Sequence, residues 1–192
     1  MKKIKVFVLA DNPLAPSGVA TQTRYMIEGL LQTGRYPFVC FGGAIRHPSY
    51  DPIRTDQYGA DWIIYPVDGY GNPHLLRQII DLEKPDAIIH FTDPRFWIWL
   101  YNMEHEIRQH MPIMYYNIWD DIPDPLYNTN FYRSSDMLMS ISKQTYGINK
   151  RILSKYGYED WQLDYVPHGI TNKRIFKIND KGDTKFREFE QR

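Results

Sequence analysis

"KIKVFVLADNPLAPSGVATQTRYMIEGLLQTG", residues 3–34, decides the fold. Lys3 to Ala10 is a short apolar run of the kind a buried strand shows. A turn of Pro, Ser and Gly follows it. The chain then reads as a helix from Ser17 to Gln32, with Ser17 as N-cap and Gly34 as the stop. Val19, Thr23, Met26, Ile27, Leu30 and Leu31 fall on one face at helical spacing. A buried strand that runs straight into an amphipathic helix is the opening of an α/β alternation.

The alternation continues. Phe38 to Gly42 and Asp61 to Pro66 read as strands, with a Pro- and Gly-bearing loop from His47 to Ala60 between them. Asn72-Pro73 opens a helix to about Glu83. "KPDAIIHF" is the fourth strand, and Pro94 to Gln109 reads as the next helix. "PIMYYNI" is the fifth strand, followed by a loop from Trp119 to Asn130. "SDMLMSIS" is the sixth, followed by a helix from Ser142 to Tyr156 that stops at Gly157. "WQLDYVP" is the seventh, and from Thr171 the pattern fades into a charged tail. The expected architecture is an α/β, doubly wound, Rossmann-like and mostly parallel sheet of about seven strands, helices covering both faces. In such sheets ligands bind beyond the carboxyl ends of the strands, where strand order reverses.

Bulk composition narrows the partners. Lys plus Arg and Asp plus Glu are both 23, so the formal charge is zero. A balanced chain argues against nucleic acid or an anionic membrane as the main partner. One cysteine, Cys40, leaves no internal disulfide and fits a cytoplasmic setting. The apolar stretch after the first lysines is too short for a signal peptide, and no run approaches the ~20 residues of a membrane span. Aromatic residues make up 15% of the chain, enough to line a groove as well as a core.

The strand ends hold the candidate chemistry. Amides at a helix start carry about half a positive charge and lack intrahelical partners. Gly18 admits close approach of a phosphate, and Ser17 and Thr21 offer hydroxyls. The glycines spell neither GxGxxG nor GxxxxGK[ST]. A plain capped helix and a phosphate seat both fit the bend. After the fourth strand come His90, Thr92 and Asp93. His90 reads as a core imidazole or a catalyst, and Asp93 as a helix cap or an acceptor of a substrate hydroxyl. After the fifth come Asn117, Trp119, Asp120 and Asp121, with Asp124 and Tyr127 close by. They read as an acidic surface loop or as carboxylates and a ring gripping a polyol; adjacent carboxylates point apart, against a metal site. "HEIRQH", 105–110, is one residue too long for HExxH, and its histidines lie about 140° apart on a helix.

Four segments together resemble the N-terminal half of the retaining nucleotide-sugar glycosyltransferases of the GT-B fold, the large group 1 family. They are "PSGVATQTRYMIEGLLQTG", "KPDAIIHFTDP", "SDMLMSISKQTYGINKRIL" and "VPHGITNKRIF", in the family's order and over roughly residues 3–176. The resemblance implies an acceptor-side domain over 1–172 and, over 173–192, a linker and the start of an absent C-terminal domain. It implies a nucleoside-diphosphate sugar as substrate, a small-molecule or glycan acceptor, and neither cofactor nor metal. Ser17 and Gly18 would face the donor diphosphate, and Asp93, Asn117 and Asp120 would border the acceptor. His90, His168 and Gly169 would lie at the interdomain cleft, and Thr92 and Asp93 are the candidates nearest the chemistry. Thr92 stands where many members carry a His, His168 replaces the usual Asn, and Thr171 the usual Asp. No protein nucleophile stands out. A truncated transferase would turn over little by itself. Two other readings remain: a non-catalytic nucleotide- or glycan-binding module, and half of a nucleotide-sugar epimerase.

Overall fold

The computed structural model describes residues 2–169. The expected linker at 173–192, and Thr171 with it, lie outside the described residues. The sheet has eight strands, one more than the sequence reading: β1 (Val6–Asp11), β2 (Phe38–Gly43), β3 (Ile53–Thr55), β4 (Gly59–Pro66), β5 (Ala87–Phe91), β6 (Ile113–Asn117), β7 (Met137–Ser140) and β8 (Leu163–Tyr165). Their order is β3-β4-β2-β1-β5-β6-β7-β8. The extra strand, β3, falls in the stretch read as loop. Its three residues have no apolar run of their own and become a strand only by pairing antiparallel with β4, Ile53 opposite Ile64. All other neighbours are parallel.

The helices are α1 (Gly18–Leu31), α2 (Pro73–Glu83), α3 (Ile98–Asn102), α4 (Glu104–Arg108), α5 (Thr129–Arg133) and α6 (Lys143–Leu153). Local capping explains the long ones. Ser17, Asn72 and Ser142 each sit in extended backbone and accept a hydrogen bond from the amide three residues on. Two helix readings change. The single helix expected over 94–109 is a 3-10 turn, Pro94–Trp97, then α3 and α4, broken at Met103 without Gly or Pro to mark it. The loop expected to run to Asn130 already holds a 3-10 turn at Leu126–Asn128 and the start of α5.

Alternate residues of β1 face opposite layers. Phe7 and Leu9 join a buried cluster with Leu76 and Ile79 of α2, Leu100 and Tyr101 of α3, and Ile107 of α4. Val6, Val8 and Ala10 join Ile27 and Leu31 of α1. Tyr115 and Leu138 pack with Tyr132 of α5 and with Ile148 and Ile152 of α6. Beside α1, an apolar hollow of about 420 Å³ lies over Ile89, Tyr116, Met139 and Val166. Each fully buried apolar side chain of this kind is worth about 1.5–3 kcal/mol.

From β1 the chain winds one way to β2 and β4, then crosses back to β5 and winds the other way. The order therefore reverses between β1 and β5, and their carboxyl ends open the crevice that the fold dictates.

Candidate functional site at the β1–β5 switch

Asp11 ends β1 and Phe91 ends β5, so the loops that follow these strands flank the crevice. The Ser17-Gly18 bend stands there, half-buried to exposed. A Cβ built on Gly18 meets nothing within 4 Å, so the bend is open. Ser17 Oγ accepts the Ala20 amide at 3.0 Å. The Thr21 amide bonds the Ser17 carbonyl. The Gly18 and Val19 amides are then the first-turn donors left pointing off the helix end.

The helix end is not bare of countercharge. Ser17 Oγ donates to Asp11 Oδ2 at 2.9 Å, so its hydroxyl is turned toward a carboxylate. Tyr70 donates to the other oxygen, Oδ1, at 3.3 Å. Neither Asp11 nor Tyr70 was among the residues singled out from the sequence. Asp11 closes a strand and is followed by a turn-like Asn-Pro; Tyr70 sits in "DGYG", which reads as punctuation. Tyr70 arrives because the loop after β4 lies against the end of β2. A Cβ on Gly43 would stand 2.7 Å from the Gly69 carbonyl, so only glycine permits that approach. Burial, and then the Asp11 charge, push the Tyr70 hydroxyl up to about 12, which keeps it a proton donor at neutral pH. Its ring is stacked by Phe96 at 5.4 Å and 16°, and Phe96 is 59% exposed.

The residues after β5 divide. His90 is fully buried, its Nδ1 2.8 Å from the Tyr101 hydroxyl and its ring stacked on Tyr115. Burial drives its pKa down to about 3, so the imidazole is neutral and enclosed rather than lining an open cleft. Thr92 is buried with its hydroxyl against that of Tyr70. Asp93 caps the turn through the Arg95 amide at 2.9 Å and takes the Arg95 guanidinium at 3.0 Å. Burial by itself would raise the Asp93 carboxyl; the hydrogen bonds from Arg95 outweigh it and hold it below its usual range. Arg95 also lies over the Tyr127 ring at 6.0 Å, joining the β5 loop to the β6 loop.

Beyond β6 the picture reverses. Asn117 is fully buried, and its amide is used by the protein: Nδ2 donates to Asn149 at 2.7 Å and Oδ1 accepts the Trp119 amide at 3.0 Å. Asn149 donates in turn to Ser140 at 3.0 Å. These three residues tie β6, α6 and β7 together, which is why Asn117 faces no open space here. Trp119 is held through its carbonyl by Thr145 and through its indole by the Asp121 carbonyl. Asp120 and Asp121 are exposed on this loop. The Asp121 carboxylate accepts the Ile122 amide, and Arg151 pins Asp124. On the α1 side, the His168 ring meets Phe91 and Tyr116, burial lowers its pKa, and the Gly169 carbonyl accepts from Gln22 at 3.3 Å.

Among the described residues no group of His, Cys, Asp and Glu gathers as a metal site. No helix there is long and apolar enough to cross a membrane. Cys40 is buried and its thiol is pushed up to about 12 by burial, which makes it inert.

No protein-family model matches the chain, and no curated protein matches it. Solved structures do share the fold. The E. coli trehalose-6-phosphate structure bound with UDP-2-fluoro glucose aligns over 88% of this chain and 50% of its own, at 14% identity and a TM-score of 0.56. The OtsA apo structure aligns over 89% of this chain and 50% of its own, at 15% identity and the same TM-score, 0.56. At such identities the likeness establishes the fold. The chain spans about half the length of these structures.

Proposed function

We propose that this chain is the N-terminal, acceptor-side half of a retaining GT-B glycosyltransferase, which moves a sugar from a nucleoside-diphosphate sugar to an acceptor hydroxyl. The observation that carries this reading is the open Gly18 bend at the reversal of strand order, with two first-turn amides of α1 that have no partner among the described residues. The fold likeness supports it: one matched structure holds UDP-2-fluoro glucose, and both extend to about twice this chain's share.

In this reading the Gly18 and Val19 amides take the donor diphosphate, with the Thr21 hydroxyl two residues further along α1. Negative charge builds on the leaving diphosphate as the glycosidic bond breaks. Preorganised donors aimed at it lower the barrier. The Ser17 hydroxyl supports the bend through Asp11 rather than reaching the phosphate. Asp93, Trp119, Asp120 and Asp121 border the acceptor, and Thr92 and Asp93 are the polar groups closest to the transferred sugar. His168 and Gly169 stand where the chain leaves for the second half. The reading needs no cofactor beyond the sugar nucleotide and places the work in the cytoplasm.

The His90 imidazole is buried and neutral and so is withheld from a ligand at the end of β5, which favours a second reading as a glycan- or nucleotide-binding module. Turnover separates the two. With its second half present, the chain should release nucleoside diphosphate from a nucleotide sugar. Gly18→Val should stop that release and leave the fold intact, because the added side chain starts in open space. Nucleotide or glycan binding without any release would leave only the binding module.

A further inference from the structure

We infer that Asp11 is a ligand-contacting carboxylate that selects an uncharged or amine-bearing polyol over a sugar phosphate at the β1–β5 crevice. The inference deepens the proposed function and rests on its reading of the crevice as the sugar-handling site. Three observations carry it. Asp11 stands at the end of the strand where the sheet order reverses, and it is half-buried. It has no cationic partner among the described residues, whereas Asp93, Asp124 and Asp136 are each paired with an arginine. Its two bonds come from neutral hydroxyls, Ser17 at 2.9 Å and Tyr70 at 3.3 Å.

A carboxylate offers about four acceptor positions, and two are taken. A partly buried charge without a counter-ion is costly, and the cost falls when a ligand hydroxyl or ammonium adds a charge-assisted hydrogen bond. Ser17 and Tyr70 hold one oxygen each, so the carboxylate plane is fixed before any ligand arrives. Tyr70 is itself braced between Phe96 and Trp97, at 5.4 and 5.2 Å between ring centroids. The same charge works against a phosphate placed beside it. The position beside Asp11 therefore goes to hydroxyls or an amine rather than to a phosphate.

Binding to the chain is measured by saturation-transfer NMR with glucose, glucosamine and glucose 6-phosphate as probes, and with UDP in parallel. Glucosamine should bind best and glucose 6-phosphate worst. Asp11→Asn keeps the shape and both hydroxyl partners but removes the charge. It should weaken glucosamine about tenfold and bring glucose 6-phosphate level with glucose. Tyr70→Phe removes only one supporting bond and should weaken glucosamine by less, about threefold; it serves if Asp11→Asn does not fold. Unchanged sugar binding in both variants, glucose 6-phosphate as the best probe, or no binding by any of the three sugars overturns the inference. UDP reports separately. Loss of UDP binding with the sugar order preserved breaks the transferase reading and leaves Asp11 in its role; intact UDP binding with no sugar order does the reverse.

Discussion

Two stretches of the same rim treat their polar side chains in opposite ways. At the end of β6, Asn117, Asn149, Ser140 and Thr145 bond to one another or to nearby backbone, and all four are fully buried. At the end of β1, among the described residues, Asp11 accepts only from Ser17 and Tyr70, Gly18 faces open space and the Gly18 and Val19 amides have no partner. The first stretch uses its hydrogen-bonding capacity to hold the sheet together. The second leaves it available. Polar residues at a strand end are therefore not equivalent, and burial with satisfied bonds is what separates a clamp from a contact.

The sharpest way to break this comparison is at the open stretch. Gly18→Val should cost about 10²–10³-fold in turnover of a nucleotide sugar by the chain with its second half, the scale of losing a preorganised donor site. Its melting temperature should stay within a degree or two. A large fall in melting temperature would make Gly18 part of the clamp instead.

At the closed stretch the expected outcome is inverted. Asn149→Ala strands the Asn117 amide and the Ser140 hydroxyl in a dry interior and should cost about 2–3 kcal/mol of stability, read by denaturant unfolding. Loss of binding at unchanged stability would place this network in the site after all.

A smaller effect comes from His90, next to the open stretch but enclosed. Its folded pKa of about 3 lies below its ordinary value of 6.5, so the unfolded chain takes up the proton first as pH falls. Its contribution is full above pH 6.5 and declines through the window down to about 3, costing about 2 kcal/mol by pH 5. Equilibrium unfolding across that window tests it: His90→Gln should flatten the slope. An unchanged slope would mean that water reaches the imidazole.

Smallest is the exposed strap of the β6 loop. Arg151→Ala removes the solvent-screened pair with Asp124 and should leave global stability almost unchanged. Its signature is greater hydrogen exchange in residues 119–124 with little change in the melting temperature. No change in exchange would show that Thr145, donating to the Trp119 carbonyl, and Gln144, donating to the Asp120 carbonyl, hold the loop without it.

The open stretch was the more legible of the two. Ser17 as a cap and Gly18 as a bare bend follow from residue type and spacing within a single turn. Asp11 lay in the same stretch, but its meaning depends on Tyr70, 59 residues away in sequence. Asn117 looked like a contact because it ends a strand, and nothing near it in sequence announces Asn149, 32 residues on. β3 escaped for a similar reason: a segment with no apolar pattern becomes a strand only when β4 supplies its partner.

The order of the parallel strands, the starts of the three long helices and the position of the Ser17-Gly18 bend belong to the sequence alone, because apolar periodicity and capping act over a few residues. Which strand-end side chains are spent and which remain free was decided by the tertiary structure. Hydrogen bonds between distant strands and helices form only when the sheet register brings them within 3 Å, and burial then removes the water that would otherwise compete.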